Sequence, residues 1–427
     1  MPVTIEKART QKTATPLHPA NRLGLMVVTT SHVSLKLMRG QFRFLREAGF
    51  DVTIVAPPGE YLDRAALKEK ARAIAIPMAQ EISPARDFVA LWRIYHAMRR
   101  LKPAVASLGT PKAGVLGGMA AWLARVPCRV YLHYGARAET LRGFRQRVLL
   151  VADRLACRTA HRVICVSESL RRRILDWRLT APEKAIVLGA GSSNGVDAER
   201  FAPTPARLRA GRALREKLGI PVDAPVAGFI GRFTRDQGVA ELFDAFVEVR
   251  QILPEARLLV LGDFEAGDPI SQGEQHDLAP DPNIIRAGFV EDAAPYYHAM
   301  DVLVLPTQRE GFPNAALEAH AAEKPVVALR ATGTVDAVRD GVDGILVSPS
   351  DRGALGDAIA GLLEDAALRR KMGEAGRERA IQEFSPERIW MALLDEYTKL
   401  FRSRGLPFPE LHRPAATKSA AAGRGAT

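Results

Sequence analysis

Residues 301–329 read DVLVLPTQREGFPNAALEAHAAEKPVVAL, with two apolar runs on either side of an alanine-rich segment. The runs 302–307 and 325–330 lack the polar alternation of a half-exposed strand, which is typical of parallel strands covered on both faces. Between them, Pro313 suits the first position of a helix, because a proline there loses no hydrogen bond. We therefore predict a helix that begins at Pro313 and ends near Ala322, between two parallel strands.

The same alternation of apolar runs and longer amphipathic stretches continues through most of the chain. Further strand-like runs lie at residues 23–30, 51–57, 71–77, 104–110, 128–134, 162–167, 185–190, 226–232, 257–263, 283–289 and 344–349. Because strand–helix–strand repeats form right-handed βαβ units, we predict an α/β protein with two doubly wound, Rossmann-like domains that face a central cleft. A cleft of this kind is the usual place for a small-molecule ligand.

The domain limits follow from where the periodic segments stop. A stretch rich in glycine and proline at 191–211 joins the two halves. Both ends of the chain lack periodicity, and we expect them to be disordered. The predicted organisation is a tail at 1–20, an N-terminal domain at 21–197, a linker at 198–224, a C-terminal domain at 225–385, a helix at 386–403 that returns to the N-terminal domain, and a second tail at 404–427.

The composition is that of a globular protein, with 427 residues, 47% hydrophobic and 25% charged. The first ~20 residues lack the apolar core of a signal peptide. The apolar segment 113–124 is shorter than the ~18 residues that a membrane-spanning helix needs. Cys128, Cys157 and Cys165 lack the paired spacing of metal ligands, which favours free thiols in a reducing cytosol.

The positive charge is concentrated in the first half of the chain. The net charge is +12, divided into +18 for residues 1–200 and −6 for residues 201–427. This asymmetry indicates a polyanionic partner, either nucleic acid or an anionic membrane surface. Because the sequence contains no recognisable nucleic-acid module, we favour the membrane surface and predict a cytoplasmic protein that binds peripherally to the inner face of the cell membrane.

One basic segment, 86–103, also has aromatic residues at helical spacing. Such a pattern is typical of a helix packed on a sheet, with arginines on its solvated face. The apolar positions are Phe88, Leu91, Trp92, Tyr95 and Met98.

Two carboxylates flank the start of the predicted helix at Pro313. Glu310 lies in the loop at the carboxyl end of a strand, and Glu318 lies one to two turns into the helix. A helix N-terminus binds anions such as phosphate, and a carboxylate can accept hydrogen bonds from two neighbouring sugar hydroxyls. One nucleotide-sugar would engage all three features. The alternative is a loop acid and a solvent-facing helix residue without a ligand.

Several segments, in this order, resemble those of the family-4 retaining glycosyltransferases with the GT-B fold. The pair Glu310 and Glu318 in EGFPNAALEAHAAEKPVVA matches the E-x7-E signature of that family. The resemblance covers roughly residues 22–403 and is more specific in the second half. Other matching segments are LMRGQFRFLREAGFDVTIVA, RVICVSESL, GSSNGVDAERF, GFIGRFTRDQGVAELFDAF, LGDFEAGDP, RAGFVEDAAPYY, MDVLVLPT and ATGTVDAVRDGVDGILV.

The resemblance implies a role for each matched residue. Glu310 becomes the catalytic carboxylate that faces the donor sugar, and Glu318 binds the ribose hydroxyls. Arg232 binds the diphosphate. The backbone of Gly311, Phe312 and Asn314 also faces the diphosphate, and the backbone of Phe289 and Val290 reads the base.

Two positions depart from the family pattern. The lysine that pairs with the diphosphate-binding arginine is replaced by Gln237 in GRFTRDQG, which removes one cation from the site. The histidine expected directly before a glycine is replaced by Tyr134, with His133 one position earlier. Because successive side chains of a strand point to opposite faces, His133 is a catalytic candidate only if the strand end is irregular; otherwise it is structural.

The resemblance implies activity without a metal cofactor, and the sequence has no D-x-D pair to hold one. It further implies a nucleotide-sugar donor and a glycan or polyprenyl-diphosphate-linked acceptor, in the synthesis of capsule, exopolysaccharide or lipopolysaccharide. Arg39, Gly40 and Gln41 are candidates on the acceptor side, with helix-surface residues as the alternative. Two other functions stay open: a nucleotide-sugar 2-epimerase of the same fold, and a catalytically weak relative that binds sugar nucleotides.

Overall fold

The computed structural model describes residues 22–31, 34–35, 38–79, 83–264, 281–351 and 353–406. The predicted tail at 1–20, and the part of the second tail beyond Leu406, lie outside the described residues.

The N-terminal domain is built on a seven-stranded parallel sheet in the order β3-β2-β1-β4-β5-β6-β7. Its strands are β1 (Leu23–Val28), β2 (Phe50–Ala56), β3 (Arg72–Ala75), β4 (Val105–Gly109), β5 (Cys128–His133), β6 (Arg162–Cys165) and β7 (Ala185–Val187). The helices are α1 (Gln41–Glu47), α2 (Glu60–Glu69), α3 (Pro84–Leu101), α4 (Pro111–Leu123), α5 (Gly143–Thr159) and α6 (Glu168–Asp176). Every residue of β4 is buried, whereas β3 at the sheet edge is largely exposed.

The apolar segment 113–124 forms most of α4, and its glycines allow close packing. A Cβ atom on Gly118 would lie 2.3 Å from Thr159 Oγ1, and one on Gly114 would lie 2.5 Å from the Tyr131 ring. The helix is therefore a packed core element between α3 and α5. No helix in the described part of the chain combines the length and apolar character needed to cross a bilayer.

The C-terminal domain is built on a six-stranded parallel sheet in the order β10-β9-β8-β11-β12-β13. Its strands are β8 (Val226–Ile230), β9 (Arg257–Leu261), β10 (Ile284–Gly288), β11 (Val302–Leu305), β12 (Val326–Leu329) and β13 (Gly344–Val347). Two doubly wound α/β domains, each on its own parallel sheet, confirm the predicted fold class.

The remaining helices lie between the predicted linker and Ser403. They are α7 (Pro205–Lys217), α8 (Val239–Ile252), α9 (Ala294–Tyr297), α10 (Asn314–Ala321), α11 (Thr334–Ala337), α12 (Gly353–Glu364), α13 (Ala366–Glu383) and α14 (Pro386–Ser403).

The segment 198–224, predicted as a linker, contains α7 and packs against the C-terminal domain. Arg215 Nε donates a hydrogen bond to Ala299 O at 2.8 Å, and its guanidinium pairs with Asp301 at 2.9 Å. The glycine and proline content of this region led to the linker prediction. Pro205, however, lies in the first turn of α7, where a helix tolerates proline.

The last helix, α14, lies against the N-terminal sheet. Tyr397 and Phe401 belong to the same buried cluster as Phe42 and Phe50. The rings of Tyr397 and Phe50 meet edge to face with centroids 5.9 Å apart. The chain thus crosses between the domains at 191–204 and again before α14.

All three cysteines are free, as their spacing predicted, and all three are also buried. Burial raises the pKa of the Cys128 thiol to about 11 and that of the Cys157 thiol to about 12. Their packing indicates a structural role in the N-terminal domain.

Candidate active site between the two domains

The loop that follows β11 carries Glu310 and is held from two sides. The Gln308 N–H donates to Asp236 O at 3.0 Å, and the Glu310 N–H donates to Thr332 O at 3.0 Å. The loop therefore lies between the short 3₁₀ turn Arg235–Gln237 after β8 and the segment after β12. Since β8, β11 and β12 are neighbours in a parallel sheet, all three segments leave the same edge, where such sheets bind ligands.

Glu310 contacts the residue at the position of the missing lysine. Gln237 Nε2 donates a hydrogen bond to Glu310 Oε1 at 2.8 Å, and the same amide lies 3.4 Å from Thr307 Oγ1. Burial raises the pKa of the Glu310 carboxyl, while the Gln237 hydrogen bond and the charges of Arg309 and Arg232 act in the opposite direction. The carboxylate is thus partly shielded from water and surrounded by donors and cations.

Two arginines approach this carboxylate from different elements. Arg232 follows β8 and is exposed. Arg309 lies in the loop itself, pairs with Asp236, and donates from Nε to Thr140 Oγ1 of the N-terminal domain at 3.2 Å. Asp236 is held in turn by the Thr234 hydroxyl at 2.6 Å. Arg309 therefore bridges the two domains beside Glu310, and no sequence pattern indicated this position.

Helix α10 begins at Asn314, one residue later than predicted, because Pro313 adopts an extended conformation (φ −75°, ψ 102°) at the N-cap position. Its last residue is Ala321, close to the predicted Ala322. Among the described residues, no side chain caps the N-terminus of α10, and the buried Asn314 Oδ1 has no hydrogen-bond partner. The free N–H groups and the helix dipole make this end a suitable anion site beside Glu310.

Glu318, on the second turn of α10, is held by a tyrosine that the sequence reasoning missed. The Tyr297 hydroxyl donates to Glu318 Oε2 at 2.8 Å, and the buried tyrosine ring packs edge to face on Phe201, with centroids 5.6 Å apart. Burial raises the pKa of Glu318, while the Tyr297 hydrogen bond and the charge of Arg200 lower it. The available signal was the tyrosine pair that ends RAGFVEDAAPYY.

Gly311 contacts the N-terminal domain, and Phe312 contacts the segment just before α14, where the chain crosses back to that domain. A Cβ atom on Gly311 would lie 1.7 Å from Tyr134 O, so only glycine fits this approach. The Ser167 hydroxyl donates to Gly311 O at 2.7 Å. Phe312 is buried and packs on Phe384, with ring centroids 5.4 Å apart. The loop that carries Glu310 therefore touches both domains.

Further polar contacts join the two domains beside the Glu310 loop. Asp336 of α11 accepts hydrogen bonds from the backbone N–H and the hydroxyl of Ser169, at the N-terminus of α6. Glu139 accepts from the Thr332 hydroxyl at 2.7 Å and pairs with Arg173 at 2.7 Å. These partners are far apart in the chain, so no local sequence pattern could indicate them.

His133 is the last residue of β5, and the strand is regular to its end, where His133 pairs in register with Cys165. The condition for a catalytic His133, an irregular strand end, is therefore not met. Its imidazole is fully buried, 3.9 Å from the Asp153 carboxylate of α5, and packs on Tyr131. Burial lowers the pKa of His133, while the charges of Asp153 and Glu139 raise it. The structure places His133 in the domain core, and its catalytic role stays an untested prediction.

The acceptor-side candidates lie where α1 meets α14. Gly40 has a left-handed φ of +84°, and a Cβ atom on it would lie 2.7 Å from the Trp390 ring. Asn194 Nδ2 donates to Arg39 O at 3.1 Å, and Gln41 Nε2 donates to Asn194 Oδ1 at 3.4 Å. Arg39 is exposed, whereas Gln41 is buried. Gly40 and Gln41 thus contact the residues that connect the domains.

Phe289 and Val290 follow β10, at the same sheet edge as the Glu310 loop. Phe289 is 64% exposed, and Val290 is partly buried. They are separated from Glu318 in sequence by α9, which carries Tyr297. The described residues contain no group of three or more His, Cys, Asp or Glu side chains arranged to hold a metal ion.

In comparison with known proteins, each half of the chain matches a glycosyltransferase family model. Residues 37–200 match the family described as Glycosyltransferase Family 4, and residues 224–365 match Glycosyl transferases group 1. A capsular polysaccharide biosynthesis glycosyltransferase, CapM of Staphylococcus aureus, is 35% identical over 376 residues, which are 88% of this chain and 97% of that protein. An Escherichia coli α-1,3-galactosyltransferase, whose name gives UDP-Gal and GlcNAc-diphosphoundecaprenol, is 26% identical over 77% of this chain and 84% of its own length.

Solved structures share the architecture. HepE of Anabaena, determined with UDP-glucose, superposes with a TM-score of 0.74 at 20% identity and covers 88% of this chain and 100% of its own. WaaG, a glycosyltransferase of lipopolysaccharide biosynthesis, superposes with a TM-score of 0.64 at 15% identity over 86% of this chain and 98% of its own. These likenesses support the GT-B fold, and together with the matches along the sequence they lead to one conclusion: the chain is a glycosyltransferase of family 4.

Proposed function

We propose that this glycosyltransferase moves a sugar from a UDP-sugar to a glycan or a polyprenyl-diphosphate-linked acceptor, with retention of the anomeric configuration, in the synthesis of a cell-surface polysaccharide. The observation that carries the proposal is the placement of two partly buried carboxylates, Glu310 and Glu318, around the uncapped N-terminus of α10 in an interdomain cleft. The names of CapM and of the E. coli galactosyltransferase support the acceptor class, and the UDP complexes of HepE support the donor class.

The donor's diphosphate would bind the N–H groups at the start of α10, with Arg232 as a cation from the opposite side. The backbone of Gly311, Phe312 and Asn314 borders the same position. Glu318, oriented by Tyr297, would accept the two ribose hydroxyls. The base would then lie towards Phe289 and Val290 on the same sheet edge.

The transfer step breaks the bond between the anomeric carbon and the diphosphate oxygen, and UDP leaves with the electron pair. The acceptor hydroxyl oxygen attacks from the same face, and its proton passes to the departing phosphate oxygen. Positive charge develops on the sugar ring during this step, and an ionised Glu310 stabilises it. Arg232 and the helix N-terminus stabilise the negative charge of the leaving group.

This arrangement needs no metal ion, because the diphosphate charge is met by a helix N-terminus and arginine. Transfer activity that persists in an excess of EDTA is the expected result. Activity that is lost in EDTA and restored by Mg²⁺ or Mn²⁺ contradicts this part of the proposal.

The function is tested by incubation with a panel of UDP- and GDP-sugars, with and without polyprenyl-diphosphate glycans. We expect nucleotide release that depends on both a UDP-sugar and an acceptor, with an α-linked product from an α-linked donor. Isomerised donor sugar without acceptor would establish a 2-epimerase instead. Saturable donor binding with neither product would establish a weak sugar-nucleotide-binding relative, the alternative that Gln237 favours.

The acceptor-side role of Arg39, Gly40 and Gln41 stays a prediction. They contact Asn194 and Trp390, which belong to the segments that connect the domains. A long acceptor bound at α1 would therefore lie next to the junction between the domains. A selective rise in acceptor KM for Arg39→Ala, without a change in donor KM, is the result that supports this role.

We propose that the protein works at the inner face of the cell membrane and contacts it through α3. The predicted pattern on this helix assigned the aromatic residues to the packed side. Met98 is buried as predicted, and Leu91 and Tyr95 pack on the same core. Phe88 and Trp92 are instead 68% and 53% exposed, and Ala90 and Ile94 complete the buried face. The spacing of Ala90, Ile94 and Met98 is itself helical, so the aromatic pattern obscured the packed one.

The neighbouring helices extend this surface. α3 packs on α4 and α4 packs on α5, and α4 and α5 expose Trp122 (59%) and Phe144 (80%). We call the exposed side of these three helices the basic aromatic face. Its exposed arginines are Arg93, Arg99, Arg100, Arg125, Arg142, Arg145, Arg147, Arg154 and Arg158. Each cation near an anionic leaflet contributes about 1 kcal/mol, and tryptophan favours the lipid headgroup layer, so the face matches an anionic bilayer.

Liposome flotation tests this contact. We expect binding to vesicles that contain phosphatidylglycerol at low salt, weaker binding at high salt, and loss of binding in a Trp92→Ala, Trp122→Ala double variant. Val247→Ala on α8, where Val247 is 61% exposed, is the matched control and should bind normally. Equal binding of the double variant contradicts the proposal. Salt-sensitive binding to RNA or DNA, without vesicle binding, would favour the nucleic-acid alternative.

A further inference from the structure

The turn Arg235–Gln237 is pressed against the base of the Glu310 loop. Gln237 is buried, with 8% of its surface exposed. The residue after it, Gly238, has a left-handed φ of +71°, and a Cβ atom there would lie 2.0 Å from Pro306 O. Thr307 Oγ1, next to the Gln237 amide, is within hydrogen-bond distance of Asp236 O at 3.0 Å. The backbone at Gln237 is therefore held in place, and its buried side chain has little freedom to move.

We propose that Gln237 is a positioning residue for Glu310: its amide fixes the direction of one carboxylate oxygen without cancelling the carboxylate charge. This inference rests on the proposed function, because it assigns Gln237 an action through Glu310 on the reacting sugar. The supporting geometry is the 2.8 Å contact between Gln237 Nε2 and Glu310 Oε1. An ammonium group in place of the amide would form an ion pair and reduce the negative field at the sugar.

The amide is one of several groups that face Glu310. Arg309 comes from the same loop, Arg232 from the end of β8, and Asp236 from the turn that carries Gln237. The two arginines favour the ionised carboxylate and Asp236 opposes it. Since these charges are unchanged in a Gln237 variant, any change in the titration of Glu310 in that variant comes from residue 237.

A double-mutant cycle separates positioning from direct contact with the diphosphate. We expect Gln237→Leu to lower kcat roughly 10- to 100-fold, the usual effect of losing a hydrogen bond to a charged group, with little change in donor KM. In a Glu310→Gln background the same substitution should cost less than about twofold. Losses of equal size in both backgrounds would show that Gln237 acts on the substrate itself and would overturn the inference.

Gln308→Leu is the matched control, because Gln308 lies in the same loop but its amide donates to Glu241 Oε1 at 2.9 Å on the exposed surface. Its kcat should equal that of the wild type. If Gln308→Leu loses as much activity as Gln237→Leu, loop disruption explains both results and the inference is wrong.

The titration of Glu310 provides a readout that does not need turnover. In ¹³C-carboxyl NMR, with Glu310→Gln to assign the resonance, Gln237→Lys should shift the Glu310 titration to lower pH, and Gln237→Leu should shift it to higher pH. The acidic limb of kcat/KM should move in the same directions. A titration that moves in a protein without transferase activity refutes the proposed function alone. A titration unchanged in both variants refutes the role of Gln237.

Discussion

The two domains share one architecture but differ in how their candidate site residues are arranged. In the C-terminal domain, Glu310, Asn314 and Glu318 lie within nine consecutive positions and surround one helix N-terminus. In the N-terminal domain, His133 is in the core and Arg39 is at the junction with α14. In the C-terminal domain, the candidate residues come from one short segment of the sequence. In the N-terminal domain, they come from separate elements, so their positions depend on how those elements pack.

The difference has a physical cause. A diphosphate is recognised by backbone N–H groups, and the start of a helix after a parallel strand supplies them in one short segment. A glycan or lipid acceptor is larger and contacts several elements, so its binding residues do not share a stretch of sequence. The comparison therefore predicts large catalytic effects from the C-terminal domain and small ones from the core of the N-terminal domain.

The largest effect is expected at Glu310. Glu310→Gln should lower kcat by roughly 10²- to 10³-fold, as for the loss of one preorganised electrostatic contact to a transition state. The amide is nearly isosteric and can still accept a hydrogen bond from Gln237, so the loop should keep its conformation. Steady-state kinetics with a UDP-sugar and acceptor measures this loss, and unchanged turnover would remove the basis of the comparison.

The same variant should not lose stability. Burial raises the pKa of Glu310 in the folded protein, so the carboxyl stabilises the fold only below its unfolded pKa, and this contribution disappears as the pH rises through the folded value. Glu310→Gln should therefore melt at or above the wild-type Tm near about pH 8, with a smaller advantage near about pH 4. A lower Tm at the higher pH would mean that the carboxylate is held by contacts that stabilise its charge.

An intermediate effect is expected at the second carboxylate. Tyr297→Phe removes the hydroxyl that orients Glu318, and should raise the donor KM about tenfold while kcat changes less than about threefold. Tyr296→Phe, at the neighbouring and partly exposed tyrosine, is the control and should leave the donor KM unchanged. A fall in kcat with constant KM would instead place Glu318 near the reacting carbon.

Much of the fold, and the placement of Glu310 and Glu318 around the start of α10, could be predicted from the sequence because both depend on local patterns. Among the described residues, twelve of the thirteen strands lie within the apolar runs identified, and β2 begins one residue before its run, at Phe50. Most of these strands are covered on both faces, which favours an unbroken apolar run. The helix α7 was missed because its exposed, arginine-rich sequence gives little apolar contrast. Arg309, Tyr297 and Asp336 were missed because their roles come from contacts between distant segments. His133 lies one position before the histidine of the family pattern. Which way its side chain points could be decided only from the structure, because it depends on whether β5 is regular to its end.

The smallest catalytic effect is expected at His133. Because its imidazole is buried between Tyr131 and Asp153, His133→Gln should change kcat less than about threefold. The substitution alters packing in the core, so the free energy of unfolding should fall by about 1 to 2 kcal/mol. Urea unfolding together with steady-state kinetics on the same preparation separates these two effects.

The pH dependence identifies the source of that stability. A histidine whose pKa is lowered by folding stabilises the protein above its unfolded pKa of 6.5, and this contribution is lost as the pH falls. The wild type should thus lose more stability than His133→Gln between neutral and mildly acidic pH, while the other buried histidines titrate alike in both proteins. A large loss of kcat with unchanged unfolding at both pH values would place His133 in the cleft. The N-terminal domain would then contribute catalysis as directly as the C-terminal one.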